Sequence, residues 1–184
     1  EKPKDNISLY AYLQDEFSLQ LLKQNREKIK DWFTFNEKIQ KEFQKQTKDL
    51  KPWIGVHIRR GDYIKLGISL PVSQYKSKLD EILKQLPNYK VFIATNDRNI
   101  ISEFKDYNLL KASNPLSDIP DYVFDFWMLV NSEWIIGGGS TFSWWAAFLS
   151  DKDYYHSPLL TNFWTKDYRP EFALQDFSKD SAIK

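Results

Sequence analysis

Two hydrophobic patterns alternate along the chain. Short runs of consecutive apolar residues, rich in β-branched types, predict buried strands, and longer stretches with apolar residues three or four positions apart predict helices. The predicted strands cover 53–58, 89–95, 133–136 and a short piece near Tyr154, with a further candidate at 108–111. The predicted helices cover 73–86, 121–132 and 143–149, with a short helix over 99–104. This alternation is typical of an α/β fold, so we predict a Rossmann-like parallel sheet flanked by helices.

The first fifty residues carry a weaker pattern. Residues 8–24 are predicted to be helical in part, and a second helix is predicted over 36–49, where Ile39 and Phe43 lie one turn apart. We therefore predict a helical lead-in segment over 1–50 and a Rossmann-like domain over 51–184. A single domain over 1–184 is the alternative, because 184 residues suit one hydrophobic core.

Composition excludes several classes of partner. The 26 basic and 25 acidic residues nearly balance, which predicts no general attraction to nucleic acid. The chain has no cysteine, so it has no disulfides and no cysteine-ligated metal. His57 and His156 lack the spacing of metal ligands, and no metal site is predicted. No run is long enough for a transmembrane helix and the N-terminus does not look like a signal peptide, so we expect a cytoplasmic protein, with membrane association as the alternative.

The first candidate site follows the first predicted strand. The segment from His57 to Tyr63 ends an apolar run with two adjacent arginines, a glycine and an aspartate. Arginine suits phosphate because its planar fork donates two parallel hydrogen bonds and stays charged, and Gly61 would let the backbone approach a ligand closely. The alternative is that Arg59 and Arg60 are a solvated pair bonded to nearby carboxylates in a simple turn.

The second candidate site lies about eighty residues later. Three of the chain's six glycines, Gly137 to Gly139, follow the strand at 133–136, and the hydroxyl residues Ser140, Thr141 and Ser143 come next. A helix that begins here would present its free N–H groups and partial positive charge to a diphosphate. The alternative for Ser140 or Thr141 is a plain N-cap, although a cap alone does not require three glycines. Trp144, Trp145 and Phe148 are predicted to be core residues.

The two motifs together resemble the α-1,2-fucosyltransferases of glycosyltransferase family 11. The HxRRGDY block is matched by His57 to Tyr63 and the STFSWW block by Ser140 to Trp145, while Asp125, Leu129 and Ile135-Ile136 match the approach to the second block. The resemblance covers roughly residues 8–165, and Tyr10 to Gln14 also resemble the family. It implies a domain like the donor-binding half of a GT-B glycosyltransferase. It also implies transfer of L-fucose from GDP-β-L-fucose to the 2-hydroxyl of a terminal galactose, with inversion, in polysaccharide or glycoconjugate synthesis.

The resemblance also implies the site residues. Arg59 is expected to contact the β-phosphate as the main catalytic group. Asp62 is a second catalytic candidate, as a general base, although an ion pair with the arginines is the favoured role. The remaining residues expected to bind the donor are His57, Arg60, Gly61, Tyr63, Asn96, Asp97, Gly139, Ser140, Thr141, Phe142 and Ser143. His57 is also predicted to be a hydrogen-bonded core residue. No cofactor is expected, because arginines and backbone amides replace a metal.

The chain departs from the family pattern in three places. The usual start of the family, with about a hundred residues of an acceptor-side domain, is missing before the first motif. Thr95-Asn96-Asp97 replaces the common Ser-Asp-Asp, and three glycines replace a polar stretch before Ser140. Two alternatives therefore stay open: a nucleotide-sugar-binding module or fragment without catalysis, and an inverting transferase that uses another nucleotide sugar.

Overall fold

A four-stranded parallel sheet forms the centre of the protein. The structure, a computed structural model, describes residues 21–22, 24–150 and 152–156. Strands β1 (Trp53–Ile58), β2 (Lys90–Thr95), β3 (Trp134–Gly137) and β4 (Asp153–His156) lie in the order β2-β1-β3-β4, and each neighbouring pair is parallel. The predicted α/β fold with a Rossmann-like parallel sheet is confirmed.

Helices cover both faces of this sheet. The helices are α1 (Arg26–Trp32), α2 (Glu37–Thr47), α3 (Gly61–Lys65), α4 (Val72–Gln85), α5 (Asp121–Val130) and α6 (Thr141–Ser150), with a 3₁₀ helix over Arg98–Phe104. Helix α4 and the 3₁₀ helix pack on one face, and α1, α2, α5 and α6 contribute to the cluster on the other. Parallel sheets need this double cover because both faces of their strands are apolar.

Strand β1 is the central element, and all six of its residues are buried. Ile54, Val56 and Ile58 belong to the α4 cluster, whereas Trp53 belongs to the cluster that contains α5 and α6. The indole Nε1 of Trp53 donates a 3.0 Å hydrogen bond to the carbonyl oxygen of Met128 in α5. Strand β1 is therefore fixed from both sides.

The predicted elements were largely confirmed, with shifts at their ends. Helix α6 begins at Thr141, two residues before the predicted start, and α5 ends at Val130. Helices α1 and α3 were not predicted. The strand candidate at 108–111 was wrong, since Val91 and Leu109 form an isolated bridge outside the named strands. Most of the helix predicted over 8–24, and the segment Tyr10 to Gln14, lie outside the described residues.

The described part of the lead-in segment packs onto the same core as the sheet. Ile29 of α1 and Phe43 of α2 share a cluster with Phe124 and Phe148. Arg26 donates from Nε to the carbonyl oxygen of Phe148 at 2.9 Å, so α1 is tied to the last turns of α6. None of the helices in the described ranges has the length and apolar character that crossing a membrane requires.

The strand order creates a crevice at one edge of the sheet. The chain passes from β1 to β2 on one side and from β3 to β4 on the other, so connections leave the neighbouring carboxyl ends of β1 and β3 in opposite directions. Such a switch point is where ligands bind in open α/β sheets. The two sequence motifs follow β1 and β3, and the fold brings both to this point.

Candidate functional site

A groove of about 760 Å³ opens at the switch point. One wall comes from the turn after β1 and from α3, and the other comes from the first turns of α5 and α6. Part of the connection between α1 and α2 closes its side. The lining residues are Phe33, Phe35, Arg59, Asp62, Tyr63, Leu66, Ile68, Tyr122, Val123, Phe126, Ser140, Thr141, Phe142 and Trp145. Of the predicted site residues, six line this groove: Arg59, Asp62, Tyr63, Ser140, Thr141 and Phe142.

Arg59 reaches the groove as half of a forked ion pair. Its Nε donates to Oδ1 of Asp62 at 2.8 Å, and its Nη2 donates to Oδ2 at 3.1 Å. These hydrogen bonds raise the pKa of Arg59 and lower the pKa of Asp62. Both side chains are exposed, at 40% and 50%, so the guanidinium is oriented by Asp62 and remains open to a ligand. The lowered pKa makes Asp62 a weak base.

Arg60 points away from the groove toward the end of β2. Its backbone N–H donates to Oδ1 of Asn96 at 2.9 Å, and its Nε donates to Oδ2 of Asp97 at 3.1 Å. Asp97 also accepts from the N–H of Asn99 and so begins the 3₁₀ helix. Arg60, Asn96 and Asp97 were predicted to bind the donor, but none of them lines the groove.

The three glycines at and after the end of β3 have structural reasons. A Cβ on Gly137 would lie 2.6 Å from Oγ of Ser143 and 2.8 Å from the ring of Tyr154, and a Cβ on Gly138 would overlap the hydroxyl of Tyr75. Gly139 has a φ of 75°, which L side chains rarely adopt. Neighbouring tyrosines and the geometry of the turn therefore account for the small residues here, and a role of Gly139 in donor binding stays a prediction.

Helix α6 begins with a capped turn that faces the groove. The Oγ of Ser140 accepts from the N–H of Phe142 at 3.3 Å, which is the N-cap role that was the alternative for this residue. Thr141 and Phe142 line the groove at the helix start. Ser143 is fully buried, and its hydroxyl bonds to the carbonyl of Ser140 at 3.1 Å and lies 3.3 Å from the hydroxyl of Tyr154. The hydroxyl of Ser143 is therefore used inside the protein.

His57 is a neutral residue beneath the groove. It is 5% exposed, and burial, with a further contribution from the charge of Arg59, lowers its pKa to about 3. Its ring lies 5.0 Å from the ring of Phe142, and its Nδ1 finds no hydrogen-bond partner among the described residues. His57 therefore adds no charge to a phosphate site, and its contact with the groove runs through Phe142.

Aromatic rings form a large part of the groove lining. Trp145 stacks on Phe33 with centroids 5.3 Å apart, and Phe126 meets the edge of Phe142 at 5.1 Å. Trp144 and Phe148 are buried, as predicted, and the partly buried Trp145 packs against the same core while it also lines the groove. The stack with Phe33 joins α1 to α6 at the rim.

A second, smaller cleft lies beside the groove. It encloses about 230 Å³ and is lined by Arg98, Ala112, Ser113, Asn114, Asp121, Phe124 and Asp125. Burial raises the pKa of Asp125 to about 6, against the opposing effect of Arg98, whose Nη2 donates to Oδ2 of Asp125 at 3.1 Å. The position of Asp125 between the apolar residues Phe124 and Phe126 was the sequence signal for this cleft. A carboxylate is costly to bury, so one in an apolar stretch indicates a paired or functional group. Within the part of the chain that is described, no three His, Asp or Glu side chains gather as metal ligands.

The chain is similar to a curated protein and to solved structures. The chain is 26% identical over 108 residues to an alpha-1,2-colitosyltransferase of Escherichia coli, covering 54% of this chain and 37% of that one. It resembles POFUT1 in complex with GDP-fucose, with a TM-score of 0.57, 16% identity, and 71% of this chain covering 48% of that one. For POFUT1 in complex with GDP the TM-score is 0.59 at 15% identity, over 78% and 50% of the two chains.

These similarities support different conclusions. The similarity to the solved structures, at 15% and 16% identity, shows only the fold. The chain spans about half the length of those solved structures and 37% of the curated relative. The model of the family described as glycosyl transferase family 11 matches residues 10–163 and so includes both motifs that meet at the groove. The chain belongs to glycosyl transferase family 11.

Proposed function

We propose that the groove binds the diphosphate of a GDP-sugar between Arg59 and the N-terminus of α6. The observation that carries this proposal is that Arg59, after β1, and Thr141 and Phe142, at the start of α6, line one groove although they are about eighty residues apart in sequence. A guanidinium fork and a ten-residue helix pointing its N-terminus at the same space both favour an anion. Tyr63 borders the same space.

We infer that the base of the nucleotide occupies the cleft at Asp125. Guanine presents two adjacent donors, N1–H and the 2-amino group, and a carboxylate can accept from both. The carboxylate of Asp125 lies in a cleft with the polar residues Ser113 and Asn114, while its side chain is only 9% exposed. Adenine offers no such pair of donors, so this cleft would favour guanine. The first turns of α5 border both the cleft and the groove.

The reaction we propose is transfer of L-fucose from GDP-β-L-fucose to the 2-hydroxyl of a galactose-type acceptor, with inversion. The bond between the anomeric carbon and the phosphate oxygen breaks, and GDP leaves with the electron pair. The acceptor oxygen attacks the opposite face of the sugar and its proton is released to solvent, so that the products are the fucosylated acceptor, GDP and a proton. Arg59 and the N–H groups of α6 stabilise the charge that develops on the diphosphate. Asp62 orients Arg59 in this scheme, and Tyr122 and Phe126 offer aromatic faces for a sugar ring.

Two further expectations belong to this proposal. The positive charge of Arg59 and the helix N-terminus can serve where other sugar transferases use a metal, so we expect transfer without added metal. The family resemblance also implies a reaction in the cytoplasm with a glycan acceptor. Both stay predictions until transfer is measured with and without a chelator.

Calorimetry with and without Arg59 tests the donor site directly. We expect the chain to bind GDP and GDP-fucose in preference to UDP and ADP, without metal. Arg59→Ala should weaken GDP binding about tenfold to a hundredfold, because it removes charge-assisted hydrogen bonds to phosphate. Lys84→Ala removes the same charge near the end of α4, away from the groove, and should bind like the wild type. Equal binding of all nucleotides, or an unaltered Kd in Arg59→Ala, would contradict the proposal.

A second donor is favoured by the named function of one relative. The Escherichia coli protein is called an alpha-1,2-colitosyltransferase. Colitose is L-fucose without its 3-hydroxyl, so GDP-colitose presents the same diphosphate and base. Transfer assays with GDP-fucose and GDP-colitose on a β-galactoside should show which sugar is used. GDP binding without transfer of either sugar would favour the non-catalytic binding module.

A further inference from the structure

The turn that carries Arg59 is held from the neighbouring strand. Two consecutive residues after β2 contact Arg60 at different points. Oδ1 of Asn96 accepts from the backbone N–H of Arg60 at 2.9 Å, and Oδ2 of Asp97 accepts from its Nε at 3.1 Å. Both the backbone and the side chain of Arg60 are therefore fixed. Arg59, the residue proposed to bind phosphate, directly precedes this fixed point.

The amide of Asn96 also explains Gly61. A Cβ on Gly61 would lie 2.7 Å from Nδ2 of Asn96, which is closer than such contacts occur in proteins. Asn96 thus lies across the start of α3 while its carbonyl oxygen holds Arg60. The glycine of the motif makes room for this side chain.

The end of β2 is itself braced. The N–H of Asp97 donates to Oγ1 of Thr95 at 3.1 Å, and Oδ1 of Asp97 accepts from the N–H of Asn99 at 3.3 Å. Thr95 is buried, so this network is anchored in the sheet. Because this turn is held by the sheet, the segment bonded to it, which contains Arg60, is fixed relative to the sheet.

We propose that Asn96 and Asp97 are positioning residues, which fix Arg60 and Gly61 and thereby direct the guanidinium of Arg59 into the groove. This inference rests on the proposed function, since it assumes that Arg59 binds the diphosphate. It assigns a different task to two residues that the sequence suggested as donor contacts. The atom that matters is the side-chain oxygen of Asn96, so an aspartate at this position should serve equally well.

Comparing GDP with guanosine separates positioning from contact. Guanosine has the base and ribose but no phosphate, so it does not use Arg59. Asn96→Ala should weaken GDP binding about fivefold to tenfold, the value of one hydrogen bond, and leave guanosine binding unaltered. Asn96→Asp should bind GDP within about threefold of the wild type. Asn99→Ala, an exposed amide nearby, is the matched control and should bind both ligands normally.

A double-mutant cycle tests the contact with Gly61. Gly61→Ala should weaken GDP binding because its new methyl group displaces Asn96. In the Asn96→Ala background the same change should add little, since the obstructing amide is already gone. Full additivity of the two losses would overturn the inference.

The remaining outcomes distinguish this inference from the proposed function. Equal loss of GDP and guanosine binding in Asn96→Ala would mean that Asn96 contacts the base or ribose, and would overturn the positioning role. Normal GDP binding in Asn96→Ala, together with loss in Arg59→Ala, would overturn the inference and leave the donor site intact. Normal GDP binding in Arg59→Ala would overturn the proposed function itself. The ratio of the two ligands is independent of the fraction of folded protein.

Discussion

Asp62 holds Arg59 through both carboxylate oxygens, and this pairing predicts a mild effect of its removal. Exposed ion pairs contribute little, so Asp62→Asn should alter the Kd for GDP by no more than about fivefold. Turnover should fall by a similarly small factor, because the lowered pKa argues against a role as general base. Steady-state kinetics check this. A loss of a hundredfold or more in kcat would instead identify Asp62 as a base.

Asp125 predicts a pH dependence of stability. Burial raises its pKa to about 6 in the folded protein from an ordinary value of 3.8, so folding favours the protonated form. The stability that the protonated carboxyl contributes is fully present below about pH 4 and is lost as the pH rises through 6. The loss amounts to up to about 3 kcal/mol, because the pKa differs by about two between the unfolded and folded states.

Urea unfolding between pH 4 and 7 measures this contribution. Asp125→Asn cannot ionise, so the loss of stability in this window should disappear in the variant. Asp121→Asn removes an exposed carboxylate whose charge adds only the smallest contribution to the raised pKa of Asp125, so this variant should retain most of the loss. An unaltered pH profile in Asp125→Asn would show that this carboxyl is not the source.

At the scale of elements, the turn between β3 and α6 predicts a specific coupling. A methyl group on Gly138 would overlap the hydroxyl of Tyr75 in α4, so Gly138→Ala should destabilise the protein by about 1–3 kcal/mol. Tyr75→Phe removes that hydroxyl and should recover most of the loss. Gly139→Ala, whose cost of about 1–2 kcal/mol comes from a positive φ, should not be rescued. Denaturant unfolding of the three variants, and of the two double mutants that combine each glycine substitution with Tyr75→Phe, checks both expectations.

The sequence pattern predicted the helices and strands that carry a clear run or stripe of apolar residues. Strand β1 and helix α6 were found from uninterrupted apolar runs, since burial on two faces leaves such runs in the sequence. Helix α3 was missed because it spans only five residues and starts at a glycine, and α1 because one buried residue, Ile29, leaves no periodic stripe.

The meeting of the two motifs at one end of the sheet was predictable, because ligands in α/β folds bind at a switch point of the strand order. Contacts between residues that lie far apart in the sequence were not predictable. The reason for Gly138 is Tyr75, and the inward hydroxyl of Ser143 depends on Tyr154, and no local pattern contains these pairings. The cleft at Asp125 needs Arg98 and the loop at 112–114 to be seen together.

For the whole molecule, donor binding should appear as thermal stabilisation. A ligand at one hundred times its Kd stabilises a folded protein by about 2.7 kcal/mol. For a chain of this size that corresponds to a rise in Tm of about 5–10 °C. GDP should produce this rise and ADP at the same concentration should not, as measured by differential scanning calorimetry. In Arg59→Ala most of the rise in Tm with GDP should disappear, while the Tm of the variant without ligand should match that of the wild type.

The central position of β1 has a consequence for how the protein folds. Strand β1 pairs with β2 on one side and with β3 on the other, and β3 enters the chain only at residue 134. During synthesis β1 must therefore remain without its partner β3 while about seventy-five further residues are made. Such long-range parallel pairing makes folding slow compared with a helical bundle. The sheet and the groove between its motifs should consequently form late and together, as one cooperative step.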